Sequence, residues 1–323
     1  MLVISEETAR HLVSMDAAIA AVEDCFAAMA RGQARNYPVV REIVGMADAV
    51  FGVKAGADTS ARVLGLKAGG YWPGNAARGL TNHQSATLLF DADTGRAAAL
   101  VSANYLTGVR TGAASAIATK HLARPEAHVL GILGTGGQSL YQLRATLAVR
   151  PIDEVHAWDP SPANLTSFGA EMAALGLRLV VHDGPEGVAR AAEVLITVTP
   201  SQRALVQADW LRPGSHVSAM GADTKGKQEL DTKLIATAAL FVDVPEQARL
   251  IGEFQHAFAQ GLIDDSHIRA SLGAVVAGIA PGRQSADEIT IFDGTGVALQ
   301  DLVVADLAVQ LARAKGLGTE APY

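Results

Sequence analysis

Residues 127–139, AHVLGILGTGGQS, decide the fold. An apolar run there meets Gly134-Thr135-Gly136-Gly137-Gln138-Ser139 and passes into the helix-length segment GQSLYQLRATLAV, so the order reads strand, glycine turn, helix. The glycines of this G-x-G-x-x-S pattern allow a tight turn and close backbone approach, and the helix start offers unpaired N–H groups to a pyrophosphate. The pattern alone is weak; its context strengthens it. IDEVHAWD reads as the next strand and ends on Asp159, about 25 residues past Gly134, where an acid accepts hydrogen bonds from an adenosine ribose. An ordinary glycine turn beside a solvated aspartate is the competing reading. Pro160 follows, and no nearby arginine is placed to hold a 2′-phosphate, which favours NAD over NADP.

Outward from this stretch the same rhythm continues. LRLVVHD, EVLITVTP, GSHVSAMGAD, ALFVDV and ITIFDGTG are short apolar runs separated by helix-length segments, the pattern of a doubly wound parallel sheet. Upstream the texture differs. Ser14 is placed to cap a helix in which Ile19, Val22, Phe26 and Met29 recur at helical spacing until Gly32 stops it. Between Val50 and Phe90, AVFGVKAG, RVLGLKAGG and SATLLFDADTG read as strands joined by turns. NYLTGVRTGAASAIATKHL, residues 104–122, reads as a small-residue helix ending before Arg124-Pro125. A last apolar-periodic helix carries Leu302, Val303, Leu307, Leu311 and Ala314 and is expected to return to the first domain.

The chain has 323 residues, which at roughly 150 per domain implies two domains. Apolar residues at 49% and charged residues at 18% exclude a disordered chain. The 26 Lys and Arg against 33 Asp and Glu leave a net charge of −7, which argues against nucleic acid or an anionic membrane as main partner and for small molecules. Cys25 is the only cysteine, so no disulfide or thiolate metal site forms within the chain. The start, MLVISEETARHLVSMDAAIAAV, lacks the basic and continuous apolar regions of a secretion signal, and a cytoplasmic protein is the expectation.

Two lysines share an unusual setting. Lys54 is flanked at i±2 by Gly52 and Gly56, and Lys67 by Gly65 and Gly69, so on a strand each ammonium has neighbours without side chains and room for a ligand. Surface lysines guarding an edge strand are the alternative. Arg41 and Arg110 add guanidiniums, the second just before Thr111-Gly112, where bidentate carboxylate binding is feasible; solvated arginines are again the alternative. Asp223 ends SHVSAMGAD at the carboxyl end of an expected parallel strand, the edge that faces the ligand crevice in such sheets. It is an acid/base candidate, with helix capping as its plainer role. His83 in TNHQS and His256 in GEFQHAF have no partners at metal-ligand spacing and read as structural. No G-x-S-x-G elbow, Walker lysine or HExxH motif supports a hydrolase or kinase.

Six blocks, LKAGGYWPGN, GLTNHQSATLLFDADTG, LTGVRTGAASAIATKHLARPEA, GILGTGGQS, GADTKGKQELD and IFDGTGVALQDL, resemble the ornithine cyclodeaminase/mu-crystallin family in order and spacing over nearly the whole chain. The resemblance implies an α/β fold, a Rossmann-type doubly wound parallel sheet domain over residues 123–301 plus a smaller α+β substrate/dimerisation domain over residues 1–122, completed by the C-terminal helix 302–323. It also implies a homodimer. Carried over, it makes Arg41, Lys67 and Arg110 carboxylate-binding cations, places Asn82 near the substrate, and gives Asp223 as the catalytic aspartate. Cofactor contacts would be Thr111, Gly134, Gly136, Gly137, Gln138, Ser139, Asp159, Thr197, Met220 and Lys227, with Gly294 replacing a serine seen in many members.

Lys54 departs from the pattern. It falls where the cyclodeaminases resemble one another in having a glutamate, and a cation there would repel ornithine's distal ammonium and attract a second carboxylate. Together with NYPVVREIVG, LGLKAGGYWP, AMGADTKGKQEL and IFDGTGVALQDL, this is most similar to family members that reduce iminosuccinate to L-aspartate with NADH. Ornithine cyclisation, alanine dehydrogenation, reduction of a cyclic ketimine and, from another class, non-enzymatic nucleotide binding of the mu-crystallin kind remain open alternatives. Imine reduction of this kind requires no metal.

Overall fold

The computed structural model describes residues 1–322. The chain divides into two compact units, Met1–Arg110 together with the chain from Val297 onward, and Thr111–Gly296. The sequence placed these boundaries later, after residues 122 and 301. The first difference arises because the helix Asn104–Leu122 changes allegiance part-way: a Cβ on Gly112 would lie 2.6 Å from the Tyr141 carbonyl oxygen, so bare backbone packs there against the second unit's helix Ser139–Val149. At the other end the helix Ala298–Lys315 belongs whole to the first unit.

The first unit's sheet contains β1 (Leu2–Ile4), β2 (Ala34–Asn36), β3 (Val40–Ile43), β4 (Val50–Asp58), β5 (Val63–Tyr71), β6 (His83–Phe90) and β7 (Ala97–Ser102). Strands β4 to β7 form an antiparallel meander, β1 joins β7 in parallel, and β2 and β3 both pair with β4. Ser14 caps the helix Met15–Ala30 by accepting the Ala17 N–H at 3.3 Å, and Gly32 follows its end at φ +72°. The helix Ala298–Lys315 packs on this helix and on β4 and β5. It approaches closely because two opposed glycines lie under it. A Cβ on Gly56 would come 3.3 Å from Leu299 and one on Gly65 3.2 Å from Leu302.

In the second unit, β8 (Val129–Leu133), β9 (Glu154–Trp158), β10 (Arg178–Val181), β11 (Val194–Thr197), β13 (His216–Ala219), β15 (Ala239–Val242), β16 (Ile268–Ser271) and β17 (Thr290–Asp293) make a parallel sheet of order β10-β9-β8-β11-β13-β17-β15-β16. Two short strands, β12 (Gln202–Val206) and β14 (Gln228–Leu230), pair separately. The chain winds outward from β8 in both directions, so the topological switch lies between β8 and β11, where open α/β sheets bind ligands at their carboxyl ends. This is the Rossmann-type doubly wound sheet expected from the sequence. The final strand, β18 (Thr319–Glu320), returns to pair with β1. No helix among the described residues is long and apolar enough to cross a membrane.

One interior residue sets an acid limit on this unit. His216 lies inside β13, its ring nitrogens 2.9 Å from Thr290 Oγ1 and 3.1 Å from Ser218 Oγ. Burial, helped by the charges of Arg283 and Arg150, pulls its pKa down to about 3. The folded chain therefore resists a proton that the unfolded chain accepts near pH 6.5, so this contribution to stability is present above pH 6.5 and lost as pH falls towards 3. Replacing His216 by Gln should flatten the loss of urea-unfolding midpoint between pH 6.5 and 4, while lowering the midpoint at pH 7. An unchanged slope would show that His216 does not govern it.

Candidate active site

The first unit gathers cations on one face of its sheet. In an antiparallel pair, directly opposed residues and those two positions away share a face. Lys54 on β4 is opposite Lys67 on β5, Arg41 on β3 is opposite Gly52, and Lys67 is opposite Thr87 on β6, so Arg41, Lys54, Lys67 and Thr87 lie on that face. His83, opposite Tyr71, shares it. Like charges in direct opposition destabilise a sheet, and something must offset them.

Asp301, from the helix Ala298–Lys315, is that group. Its Oδ1 accepts Lys67 Nζ at 2.9 Å and Arg110 Nε at 3.0 Å, while Lys67 also donates to Thr107 Oγ1 at 3.2 Å and Arg110 Nη1 to Gln300 Oε1 at 3.1 Å. All three charged side chains are buried, with Asp301 only 2% exposed. Burial alone would raise the Asp301 pKa, but Arg110 and Lys67 outweigh it and hold it at about 2. Burial pulls Lys67 down to about 8; Asp301 opposes this, and Arg110 and Lys54 add to it. His83 drops to about 4 through burial and the neighbouring Lys67 and Arg110 charges, which leaves a neutral imidazole beside the cations.

The expectation that glycines beside the lysines leave ligand space needs correction. Leu299 and Leu302 occupy the ground over Gly56 and Gly65, so those glycines serve helix docking. Arg41 is exposed on β3. Asn82, expected near the substrate, spends its side chain on its own loop, accepting the Ala76 N–H at 3.0 Å and donating to the Tyr71 hydroxyl at 3.1 Å.

In the second unit the nucleotide-binding candidates collect at the carboxyl ends of β8, β9, β11, β13 and β17. Gly134 has φ +95°, and a Cβ there would fall 2.8 Å from the Val198 carbonyl oxygen. Gly136 and Gly137 are exposed; a Cβ on Gly137 would meet nothing within 4 Å, and one on Gly136 only Asn164 Nδ2 at 3.9 Å. Bare backbone thus faces open ground at the start of the helix Ser139–Val149, where Gln138 Oε1 is buried without a partner among the described residues. These features fit a dinucleotide pyrophosphate. Ser139 is itself buried, and its hydroxyl donates to Gly136 O at 2.7 Å, so it shapes the turn. Asp159 accepts Thr135 N at 2.7 Å, Ser161 N at 2.8 Å and the Asn164 amide, tying the glycine turn to the end of β9.

Thr197 corrects another expectation. It is wholly buried, and its hydroxyl donates to Glu229 Oε2 at 2.7 Å, which leaves it no surface for a cofactor. Lys227, expected on the cofactor, donates instead to Gly221 O at 3.0 Å and Asp223 Oδ1 at 2.7 Å. Asp223 sits in the loop after β13 with its side chain 42% exposed. Gly294 is packed beneath Met220: a Cβ there would lie 2.5 Å from Met220 Sδ, so Met220 fills the space a serine side chain would need. Thr111 is half-buried in the helix Asn104–Leu122. His256 Nε2 donates to the Lys227 carbonyl oxygen, 3.1 Å away, in keeping with a structural role.

The chain matches the ornithine cyclodeaminase/mu-crystallin family over residues 1–316. It belongs to that family. It is similar to the iminosuccinate reductase of Paracoccus denitrificans, with 48% identity over 320 residues covering 99% of each chain. The crystal structure of that reductase in complex with NAD+ superposes with a TM-score of 0.95, covering 100% of this chain and 99% of the other. The alanine dehydrogenase of Archaeoglobus fulgidus is 37% identical over 322 residues, covering 100% of this chain and 98% of the relative. A Δ1-pyrroline-2-carboxylate reductase of Thermococcus litoralis, in complex with NADH and L-proline, shares 31% identity with a TM-score of 0.95 and covers 99% and 100% of the two chains.

Sequence reasoning missed Asp301, Gln300, Thr107 and Glu229 and set His83 aside. A carboxylate amid Leu299, Leu302 and Val303 was the available signal for Asp301, since an acid on an apolar helix face needs a buried cation. Removing it strands Lys67 and Arg110 in the interior. Asp301→Asn should therefore cost about 3–5 kcal/mol of unfolding free energy in urea titrations. A variant as stable as the parent would deny the ion pairs that structural role.

Proposed function

We propose that this protein reduces iminosuccinate to L-aspartate with NADH. The observation that carries the reading is Lys54 opposite Lys67 on one sheet face, with Arg110 joining them and Asp301 offsetting one charge among the three. Such a cluster suits a substrate with two carboxylates, whose charges replace the water these cations lose on burial. Full-length likeness to an iminosuccinate reductase at 48% identity supports the same choice.

Lys67 and Arg110 bind one carboxylate, and Lys54 with Arg41 reads the second. Together they fix the substrate's position, the service that bidentate and paired cations perform in bringing reactants to reacting distance. NADH, held by the turn Gly134 to Ser139 with Asp159 behind it, supplies the hydride for the imine carbon. The imine nitrogen then needs one proton. Asp223 delivers or orients it, and Lys227, 2.7 Å from Asp223 Oδ1, steadies the carboxylate and can return a proton to it. The neutral His83 imidazole adds a hydrogen-bonding group to the cation face without adding charge.

We also infer a homodimer. Val40, Ile43, Met46 and Phe51 expose apolar side chains around β3 and β4, Ile43 to 82% and Met46 to 70%. Exposed apolar side chains on both faces of this sheet edge mark it as an interaction surface, and a second copy is the simplest partner. The archaeal alanine dehydrogenase relative is described as a dimer. Sedimentation equilibrium should return the mass of two chains, shifting towards one for Ile43→Glu; a monomeric parent would refute the dimer.

The substrate is tested by NADH oxidation with freshly generated iminosuccinate, pyruvate plus ammonia, and a cyclic ketimine, with L-ornithine plus NAD assayed for ammonia release. A strong preference for iminosuccinate is expected. Lys54→Glu should lower kcat/KM for the dicarboxylate by roughly tenfold to a hundredfold, the scale of one charge-assisted hydrogen bond, and spare monocarboxylate imines. Equal kinetics for variant and parent would remove Lys54 from the pocket.

A further inference from the structure

Glu229 is wholly buried in the middle of β14, six residues past Asp223, and has four donors. Its Oε1 accepts the Thr199 N–H at 2.6 Å and the Thr199 hydroxyl at 2.7 Å; its Oε2 accepts the Thr197 hydroxyl at 2.7 Å and the Gly221 N–H at 3.0 Å. One carboxylate therefore ties the carboxyl end of β11 to that of β13. Gly221 is matched to it, since a Cβ there would lie 2.5 Å from Glu229 Oε2. Any larger residue would push the carboxylate or the loop away.

The loop beyond Gly221 is held on its other side too. Lys227 grips Gly221 O and Asp223 Oδ1, and Gln255 accepts the Gly226 N–H at 2.7 Å while donating to Thr224 O and Lys227 O. Glu229 is in turn immobilised by a second buried acid. Glu253 Oε1 accepts the backbone N–H groups of Glu229 at 2.8 Å and Leu230 at 2.6 Å. An anion buried this deeply costs several kcal/mol unless fully hydrogen-bonded. An apolar residue would fill the same volume more cheaply, so a buried carboxylate here calls for a specific role.

We propose that Glu229 is a positioning residue for the reaction: through the Gly221 N–H and the two threonines it sets where Asp223 stands at the end of β13. The inference rests on Asp223 as the acid/base group proposed above. Glu229 is wholly buried and acts by fixing the backbone two residues before the aspartate. Glu229→Gln keeps the shape but exchanges one acceptor oxygen for a donor NH2 that faces two donors.

The test combines kinetics and amide exchange on the full-length protein. Glu229→Gln should reduce kcat about a hundredfold, the scale of an ångström-sized misplacement, with KM for NADH within about twofold of the parent, and should speed hydrogen exchange at the Gly221 amide. In an Asp223→Asn background the same change should cost no further turnover, because there is no acid/base group left to position. Thr197→Val, which removes one donor, should show a smaller loss that Thr197→Ser restores, and it serves if Glu229→Gln does not fold. Unchanged kcat, a loss that multiplies fully with that of Asp223→Asn, or unaltered exchange at Gly221 would each overturn the proposal. If Asp223→Asn itself leaves turnover unchanged, the acid/base reading fails separately, and Gly221 exchange still decides whether Glu229 holds the loop.

Discussion

A single carboxylate oxygen on Asp301 meets both the Lys67 ammonium and the Arg110 guanidinium inside the first unit. Without it, a sheet that sets Lys54 against Lys67 would carry unopposed positive charge into its interior. The arrangement is a compromise. Asp301 holds Lys67 and Arg110 in the interior as paired charges, while Lys54 on the neighbouring strand adds a third cation to the same face. Its Oδ2 is buried and meets no donor among the described residues, so its hydrogen-bonding capacity is not exhausted by the protein.

Close approach of helix to sheet makes the triad possible. Opposed Gly56 and Gly65 remove side chains where Leu299 and Leu302 descend, and the carboxylate on the same helix turn is thereby lowered to the level of the Lys67 ammonium. The second unit uses glycine differently. Gly136 and Gly137 keep backbone bare towards open ground, whereas Gly221 and Gly294 make room for protein atoms, the Glu229 carboxylate and the Met220 thioether. The same residue type therefore leaves backbone open in one place and allows tight internal packing in another.

That difference explains what could be read from the chain alone. Strand, turn and helix around residues 127–139, the Ser14 cap and the helix over residues 104–122 are local features, and local spacing revealed them. That Lys54 shares a strand face with Gly52 and Gly56, and Lys67 with Gly65 and Gly69, was legible for the same reason, because strand alternation is local. What fills that face was not, since Leu299 and Leu302 approach from the far end of the chain. Thr197 illustrates a second limit. Its place at a strand end suggested a cofactor contact, but a hydroxyl there can turn inward to a buried acid, and nothing in the run EVLITVTP announces Glu229. The short strands β12 and β14 escaped notice because stretches of five and three residues carry too little periodicity.

The partner of Lys67 lies 234 residues further along the chain, and the whole second unit is spelled out between them. During synthesis at about 5–20 residues per second, the lysine emerges roughly 10 to 50 s before its counter-ion. Residues 111–296 are contiguous and are complete before the ribosome reaches the helix that supplies Asp301. The birth order of the two units is thus the reverse of their order in the sequence: the inserted unit can fold first, and the unit that begins the chain closes last.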